Sequence, residues 1–262
     1  MAIQVSGTQV ISNSRGLTNI ASVDATTATA IGAAGVGGGP AAPNWNPNAT
    51  PNATFTSSGT WSKPTLSAST WIIFYGVGGG GGANSSGSYA QGGCGGSALV
   101  MSGLAGELPS SVAVTIGAGA TSYADGGDTT LVSGGVTIKA AGGLRVTTSQ
   151  PTAVEQTAAT SVSMPPPTNF FGPTPATILN ATGGLAGVRF SNGLDSIYGA
   201  AGGGGGYGPN NQQGGTSTYA GDGGNNATNQ RNGAAPGGGG AGMQGTGGTG
   251  ANGSVRVYYI TT

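Results

Sequence analysis

The stretch Trp71-Ile72-Ile73-Phe74-Tyr75-Gly76-Val77-Gly78-Gly79-Gly80-Gly81-Gly82 decides the fold. Its first half is an apolar run of strand length, and a run without polar alternation suits a buried strand. Its second half carries no side chains. A strand that empties directly into glycine predicts a β-framework with glycine segments built onto its ends. Working outward, Ala98-Leu99-Val100-Met101 is a second apolar run. Val112, Val114 and Ile116 repeat every second residue, as do Val136 and Ile138, and Val255 to Ile260 close the chain as another strand. Short strands separated by Gly/Ser turns predict a mainly β fold, an antiparallel β-sandwich or barrel, with the sandwich preferred. The closing strand is expected to pair with an early one.

Glycine supplies 57 of the 262 residues, about a fifth, against about 7% in average usage. Three inserts lie between the strands: residues 76–96 with the run Gly78 to Gly82, residues 145–198, which are rich in Thr, Pro and Asn, and residues 199–253, the richest in glycine. In the third, Gly239, Gly242, Gly245 and Gly248 fall on every third residue. That is a polyproline-II register, in which only glycine fits at a crowded contact. The expectation is extended glycine segments packed backbone against backbone, because glycine permits close approach and buried backbone groups must be paired. The competing reading is a flexible Gly/Ser spacer. Tyr207, Tyr219 and Met243, interspersed among the glycines, favour order.

The first 35 residues differ. Ile3, Val5, Val10 and Ile11 around Ser6-Gly7 read as a hairpin, and Asp24 to Ala34, Ala-rich and ended by Gly35, reads as a short helix. Its apolar stripe, Ile20, Val23, Ala28 and Ile31, suits either its own domain or copies of itself. Residues 36–53 carry Pro40, Pro43, Pro47 and Pro51 and read as an extended linker. The domain boundaries are therefore 1–35, 36–53 and 54–262, the last with the insert 145–198.

The chemistry that composition leaves is narrow. Seven basic and seven acidic residues balance, and charged residues make up 5% of the chain, against about a quarter in average usage. No basic footprint for nucleic acid or anionic membrane exists, and no stretch approaches the ~20 apolar residues of a membrane span. The N-terminus lacks the basic start and apolar core of a signal peptide, so synthesis in a cytoplasm without standard export is expected. Histidine is absent, which removes the commonest general base and metal ligand. Cys94 stands alone in Gly-Gly-Cys-Gly-Gly; it reads as a small apolar filler, with a reactive or intermolecular thiol as the other reading. Asp125-Gly126-Gly127-Asp128 reads as a turn, with a weak calcium site as the alternative. The run Gly78 to Gly82 has no Lys-Ser/Thr after it, so it is not a phosphate loop. No catalytic residue, metal or cofactor is expected. The candidate surface-binding residues are Tyr89, Tyr198, Tyr207 and Tyr219, aromatic faces in or beside glycine-rich loops, with anchoring of those loops as the structural alternative.

Phe55-Thr56-Ser57-Ser58-Gly59-Thr60-Trp61-Ser62-Lys63-Pro64, the strand running into Gly76 to Gly82, and the closing Gly250-Ala251-Asn252-Gly253-Ser254-Val255-Arg256-Val257-Tyr258 resemble the glycine-rich domain of bacteriophage tail and fibre proteins. Val10-Ile11 through Arg15-Gly16-Leu17-Thr18-Asn19-Ile20 to Asp24-Ala25 is similar to a short N-terminal element of such proteins. The resemblance implies a virion structural fibre protein, made in the host cytoplasm and assembled as a homotrimer. It implies attachment to other virion proteins through the N-terminal segment and an exposed glycine-rich tip that binds a bacterial surface glycan or outer-membrane protein. The insert 145–198 has no counterpart in that pattern. A passive decoration or baseplate component is the alternative, and a polysaccharide depolymerase the second.

Overall fold

The structure is a computed structural model that describes residues 3–5, 8–11, 45–85, 90–146, 177–187, 191–204, 212–226, 231–243 and 247–261, with backbone alone at 3–5, 8–11 and 177–180. It divides into two units, Met1–Ala41 and Ala42–Thr262. In the first, β1 (Ile3–Val5) and β2 (Thr8–Ile11) form the expected antiparallel hairpin around Ser6-Gly7. The helix expected at 24–34 lies outside the described residues.

The second unit is an antiparallel β-sandwich, and among its described residues there is no helix. One sheet has the order β10-β6-β5-β11-β3, from β3 (Ala53–Phe55), β5 (Trp71–Val77), β6 (Ala98–Leu104), β10 (Thr177–Ala181) and β11 (Ser254–Ile260). The other has the order β4-β7-β8-β9, from β4 (Gly59–Ser62), β7 (Ser111–Thr115), β8 (Thr129–Ser133) and β9 (Val136–Ala140). The closing strand β11 pairs with β5 and β3, as expected. Gly134 and Gly135 join β8 to β9 with φ of 56° and 79°, the two positive values that a two-residue hairpin turn demands.

Alternation sorts the apolar residues. Ile72 and Phe74 of β5, Leu99 and Met101 of β6, and Val255 and Val257 of β11 face inward. They meet Trp61, Val112, Val114, Leu131 and Ile138 of the second sheet. The Trp61 ring stands edge-on to Phe74 at 5.1 Å, and its Nε1–H donates to the Tyr259 hydroxyl at 3.0 Å. The other face of β5, with Ile73, Tyr75 and Val77, is also covered, by Trp45, Ala200, Tyr219 and Tyr258. That double cover explains why the opening run is apolar without interruption. It also corrects the linker reading for residues 45–53. Trp45 packs on Tyr75 and Tyr258, Pro47 O accepts the Tyr258 hydroxyl at 2.8 Å, and Asn52 N–H donates to Val257 O.

Beyond β5 the chain changes period. Gly79 and Gly82 donate to Gly127 and Ala124, Gly80 and Ala83 to Ala251 and Gly248, and Gly78, Gly81 and Asn84 to Ser97, Cys94 and Gln91. Every third amide therefore addresses the same neighbour, which is the geometry of a polyproline-II helix with about three residues per turn and no internal hydrogen bonds. The carbonyls of this segment take bonds from three other segments, through Ala120 and Tyr123, Gly143 and Gly240. Segment 78–84 is thus surrounded on all sides by backbone.

Segment 91–97 repeats the rule. Gly92 and Gly95 donate to Gly187 and Gly184, Gly93 and Gly96 to Gly240 and Gly237, and Cys94 and Ser97 to Leu144 and Ala141. Residues 199–204 and 236–242 are likewise buried throughout. A Cβ on Gly80, Gly93 or Gly203 would lie 2.1, 2.1 or 2.0 Å from a carbonyl oxygen. Of the described glycines only Gly134, Gly135 and Gly237 have positive φ. The bundle therefore uses glycine for close approach, not for backbone freedom.

This bundle corrects the division into inserts. Residues 183–187 and 193–194, expected within an insert, form part of it through bonds such as Gly184 N–H to Ala200 O and Leu194 N–H to Leu185 O. At its rim, where an amide has no glycine neighbour to address, an Asp or Asn side chain takes its place. Asp125 accepts Arg145 N–H, Asp128 accepts Gly142 N–H, Asp195 accepts Thr216 N–H and Asp222 accepts Ser217 N–H. Asn192, Asn232 and Asn252 cap Gln213, Thr249 and Gly119 in the same way, at 2.8–3.0 Å. Such caps remove the unpaired backbone edge that would otherwise template association.

Candidate functional site

Strand directions define two ends of the bundle. Segment 78–84 continues β5 away from the sheets, and segment 91–97 returns into β6. Residues 117–121 run outward with 78–84, since Ala120 and Tyr123 bond to Gly80 and Ala83 in order. Residues 199–204 and 237–242 run antiparallel to 91–97 and therefore also outward. Among the described residues the chain reverses completely at the far end between 121 and 124. The near-end reversals lie against the outer face of the five-stranded sheet.

The described far-end reversal is built around Tyr123, which has φ of 60° and is 43% exposed. A non-glycine residue in this region is uncommon and costs roughly 1 kcal/mol or more, so surrounding bonds must hold it. They do: Tyr123 N–H donates to Ala83 O at 2.9 Å, and the Ser122 hydroxyl donates to the same oxygen at 3.1 Å. Arg145 stands beside the ring with its guanidinium carbon 5.2 Å from the centroid, and its Nη1–H donates to Tyr123 O at 3.3 Å. Asp125 holds Arg145 by its backbone amide at 2.8 Å, with the guanidinium Nε 3.9 Å away. The result is an outward aromatic plate with a cation against its face, an arrangement suited to contact with polar surfaces.

Two of the four tyrosines singled out in the sequence lie among the described residues, Tyr198 and Tyr219. Tyr89 and Tyr207 lie outside the described residues. Tyr198 and Tyr219 come together with ring centroids 5.2 Å apart and planes at 33°, at the near end rather than the far end. Both are pinned through their carbonyls: the Tyr75 hydroxyl donates to Tyr198 O at 2.5 Å, and Arg256 Nη1–H donates to Tyr219 O at 3.4 Å. Tyr219 packs on the outer sheet face, while Tyr198 remains 39% exposed. Burial raises the Tyr75 phenol far above its usual range despite the opposing charge of Arg256, so Tyr75 stays a hydrogen-bond donor. Tyr123 was missed by sequence reasoning. Its setting, Thr121-Ser122-Tyr123-Ala124-Asp125-Gly126-Gly127, matches that of Tyr219 in Ser217-Thr218-Tyr219-Ala220-Gly221-Asp222-Gly223 and was the available signal.

The other chemical candidates are structural in place. Cys94 is 1% exposed, and burial pushes its thiol up against the opposing amides of Ala186 and Leu144, so it is not poised as a thiolate. Asp125 and Asp128 each serve a backbone amide, and Asp128 also pairs with Lys139 at 2.8 Å. Among the described residues no three His, Cys, Asp or Glu side chains gather as metal ligands, and no helix is long and apolar enough to cross a membrane.

No curated protein matches the chain. A family model does, that of the glycine-rich domain, over residues 53–260, from β3 to the last residue of β11. The chain belongs to the glycine-rich domain family.

Proposed function

We propose that this chain is a virion structural fibre protein that presents the far end of its glycine bundle to a bacterial surface. The observation that carries the reading is Tyr123, an exposed aromatic held in left-handed backbone and backed by Arg145 at the far end of the glycine bundle. The similarity of residues 10–25 and of the closing strand to phage fibre proteins supports a place on the virion, with the N-terminal segment as the attachment and a homotrimer as the assembly. The described aspartates at 125, 128, 195 and 222 are engaged as caps on backbone amides, which favours this reading over a depolymerase. Flow cytometry of fluorescently labelled full chain on a panel of bacterial strains tests it. The expected result is binding to at least one strain, reduced about tenfold by Tyr123→Ala, a loss of ~1.4 kcal/mol. Binding to no strain would leave a passive virion component, and binding unchanged in Tyr123→Ala would remove the far-end site.

A further inference from the structure

We infer that a second site lies at the near end of the bundle, a groove that takes a neutral glycan. The groove has a volume of about 630 Å³ and runs between the end of β10 and two neighbouring bends, at residues 195–198 and 216–218. That size suits a sugar unit or two. The bends are copies set side by side: Asn192 caps Gln213, Asp195 caps Thr216, Ser196 bridges Ser217 in parallel, and Tyr198 stacks beside Tyr219, all at one sequence offset.

Three observations fix the ligand class. First, Tyr198 offers an aromatic face to the groove's rim that is already oriented, because its carbonyl is tied to Tyr75 and its ring leans on Tyr219. An aromatic face suits the C–H face of a pyranose, and a plate fixed in advance loses little entropy on binding. Second, the polar side chains of the remaining wall are hydroxyls and one carboxylate: Thr182, Ser196, Thr216, Thr218 and Asp195. Asp195 spends Oδ1 on both the amide and hydroxyl of Thr216, at 2.6 and 3.0 Å, which leaves Oδ2 to accept from a sugar hydroxyl. Third, among the described residues no Lys or Arg lines the groove, while Asp195 does. Anionic sugars and phosphates meet a like charge there and find no cation. A flexible peptide is a poorer fit, since Ile197, 62% exposed, is the groove's one large aliphatic contact.

Affinity electrophoresis of the full chain in gels cast with dextran, mannan or galactan, against polygalacturonate, tests this. At least one neutral polymer should retard the protein and polygalacturonate should not. Tyr198→Ala should weaken the retardation at least about tenfold, while Tyr198→Phe keeps it and Asp195→Asn weakens it severalfold. The Tyr198 anchor is its carbonyl, so Tyr198→Ala should fold, and unchanged tryptophan fluorescence checks that. Absence of retardation by all three neutral polymers, equal retardation by polygalacturonate, or full retardation of Tyr198→Ala overturns the assignment. Tyr123→Ala should leave the retardation intact, so loss of this site and loss of the far-end site are read separately.

Discussion

Gly203→Ala should break the bundle locally, and its cost can be worked from the geometry. Gly203 is buried, and an added Cβ would sit 2.0 Å from Gly240 O and 2.4 Å from Gly240 C. Real Cβ contacts do not fall below 3.0 Å, so segments 199–204 and 237–243 must part by roughly one ångström. Two bonds tie those segments, Gly239 N–H to Ala201 O at 3.0 Å and Gly242 N–H to Gly204 O at 2.8 Å. Stretched by that much, both leave the ~2.7–3.2 Å range of an N–H···O bond. Each buried amide left without its partner costs about 1–3 kcal/mol. Replacing glycine by alanine returns only ~0.4–1 kcal/mol through the unfolded chain. The net expectation is a loss of about 2–5 kcal/mol, or roughly 5–20 °C in melting temperature for a domain of this size. Urea unfolding followed by tryptophan fluorescence measures it. Gly59→Ala is the control: its nearest neighbours are Phe55 ring carbons at 3.7 and 3.8 Å, so it should be neutral or slightly stabilising. If Gly203→Ala unfolds within ~0.5 kcal/mol of Gly59→Ala, the size of an ordinary surface substitution, the close-packed bundle is wrong.

Asp128 should carry a measurable part of the acid sensitivity. Burial opposes its ionisation, but the Lys139 hydrogen bond, the Gly142 amide and the Lys139 charge outweigh that and hold it below the usual carboxylate range. Its stabilisation is therefore complete above the unfolded value of ~3.9 and lost as pH falls through the lower folded value. Asp128→Asn should flatten the stability profile below about pH 4, by under ~1 kcal/mol for so exposed a pair, in acid titration by circular dichroism. Cys94 should react with a maleimide only once the domain unfolds; rapid native-state labelling would contradict its burial.

The strands were legible because their signal is local. Period two at Val112, Val114 and Ile116 and the two-sided run of Trp71 to Val77 each carry their environment in a few residues. The bundle was legible only in outline. Every third glycine in 239–248 announced the period, but glycine carries no side chain to name a partner, so the pairing of Gly79 with Gly127 or Gly80 with Ala251 had no trace in the sequence. The spacer reading of residues 45–53 failed for a related reason. Proline density describes local conformation well, yet it says nothing of Trp45 finding Tyr75 and Tyr258 on a distant sheet face. The tyrosine reading did not include Tyr123, and it could not tell that Tyr198 and Tyr219 lie together at the near end. Which end of a glycine segment a tyrosine occupies depends on the direction of that segment, and direction is a property of the assembled bundle.

The same absence of Cβ that lets carbonyls approach also fixes where chemistry can reside. In segments 78–83 and 199–204 even a Cβ added at any glycine would lie within 3.0 Å of backbone, so these segments cannot hold a binding group. Apart from a few buried side chains such as Gln91, Cys94 and Val146, side chains stand at the rim and at the reversals. At the rim they are conscripted to satisfy the backbone: Asp125, Asp128, Asp195 and Asp222 are caps, and only a spare oxygen such as Asp195 Oδ2 is left over. The reversals share that duty through their serines: the Ser122 hydroxyl donates to Ala83 O and the Ser217 hydroxyl to Gly199 O. Tyr123 and Tyr198 are tied to the frame by backbone groups, and their rings rest on a neighbour at the surface, Arg145 for Tyr123 and Tyr219 for Tyr198. A fold of this kind separates the backbone bonds that hold it together from the aromatic rings that face outward, so Tyr123 and Tyr198 can be exchanged without removing a backbone bond of the bundle.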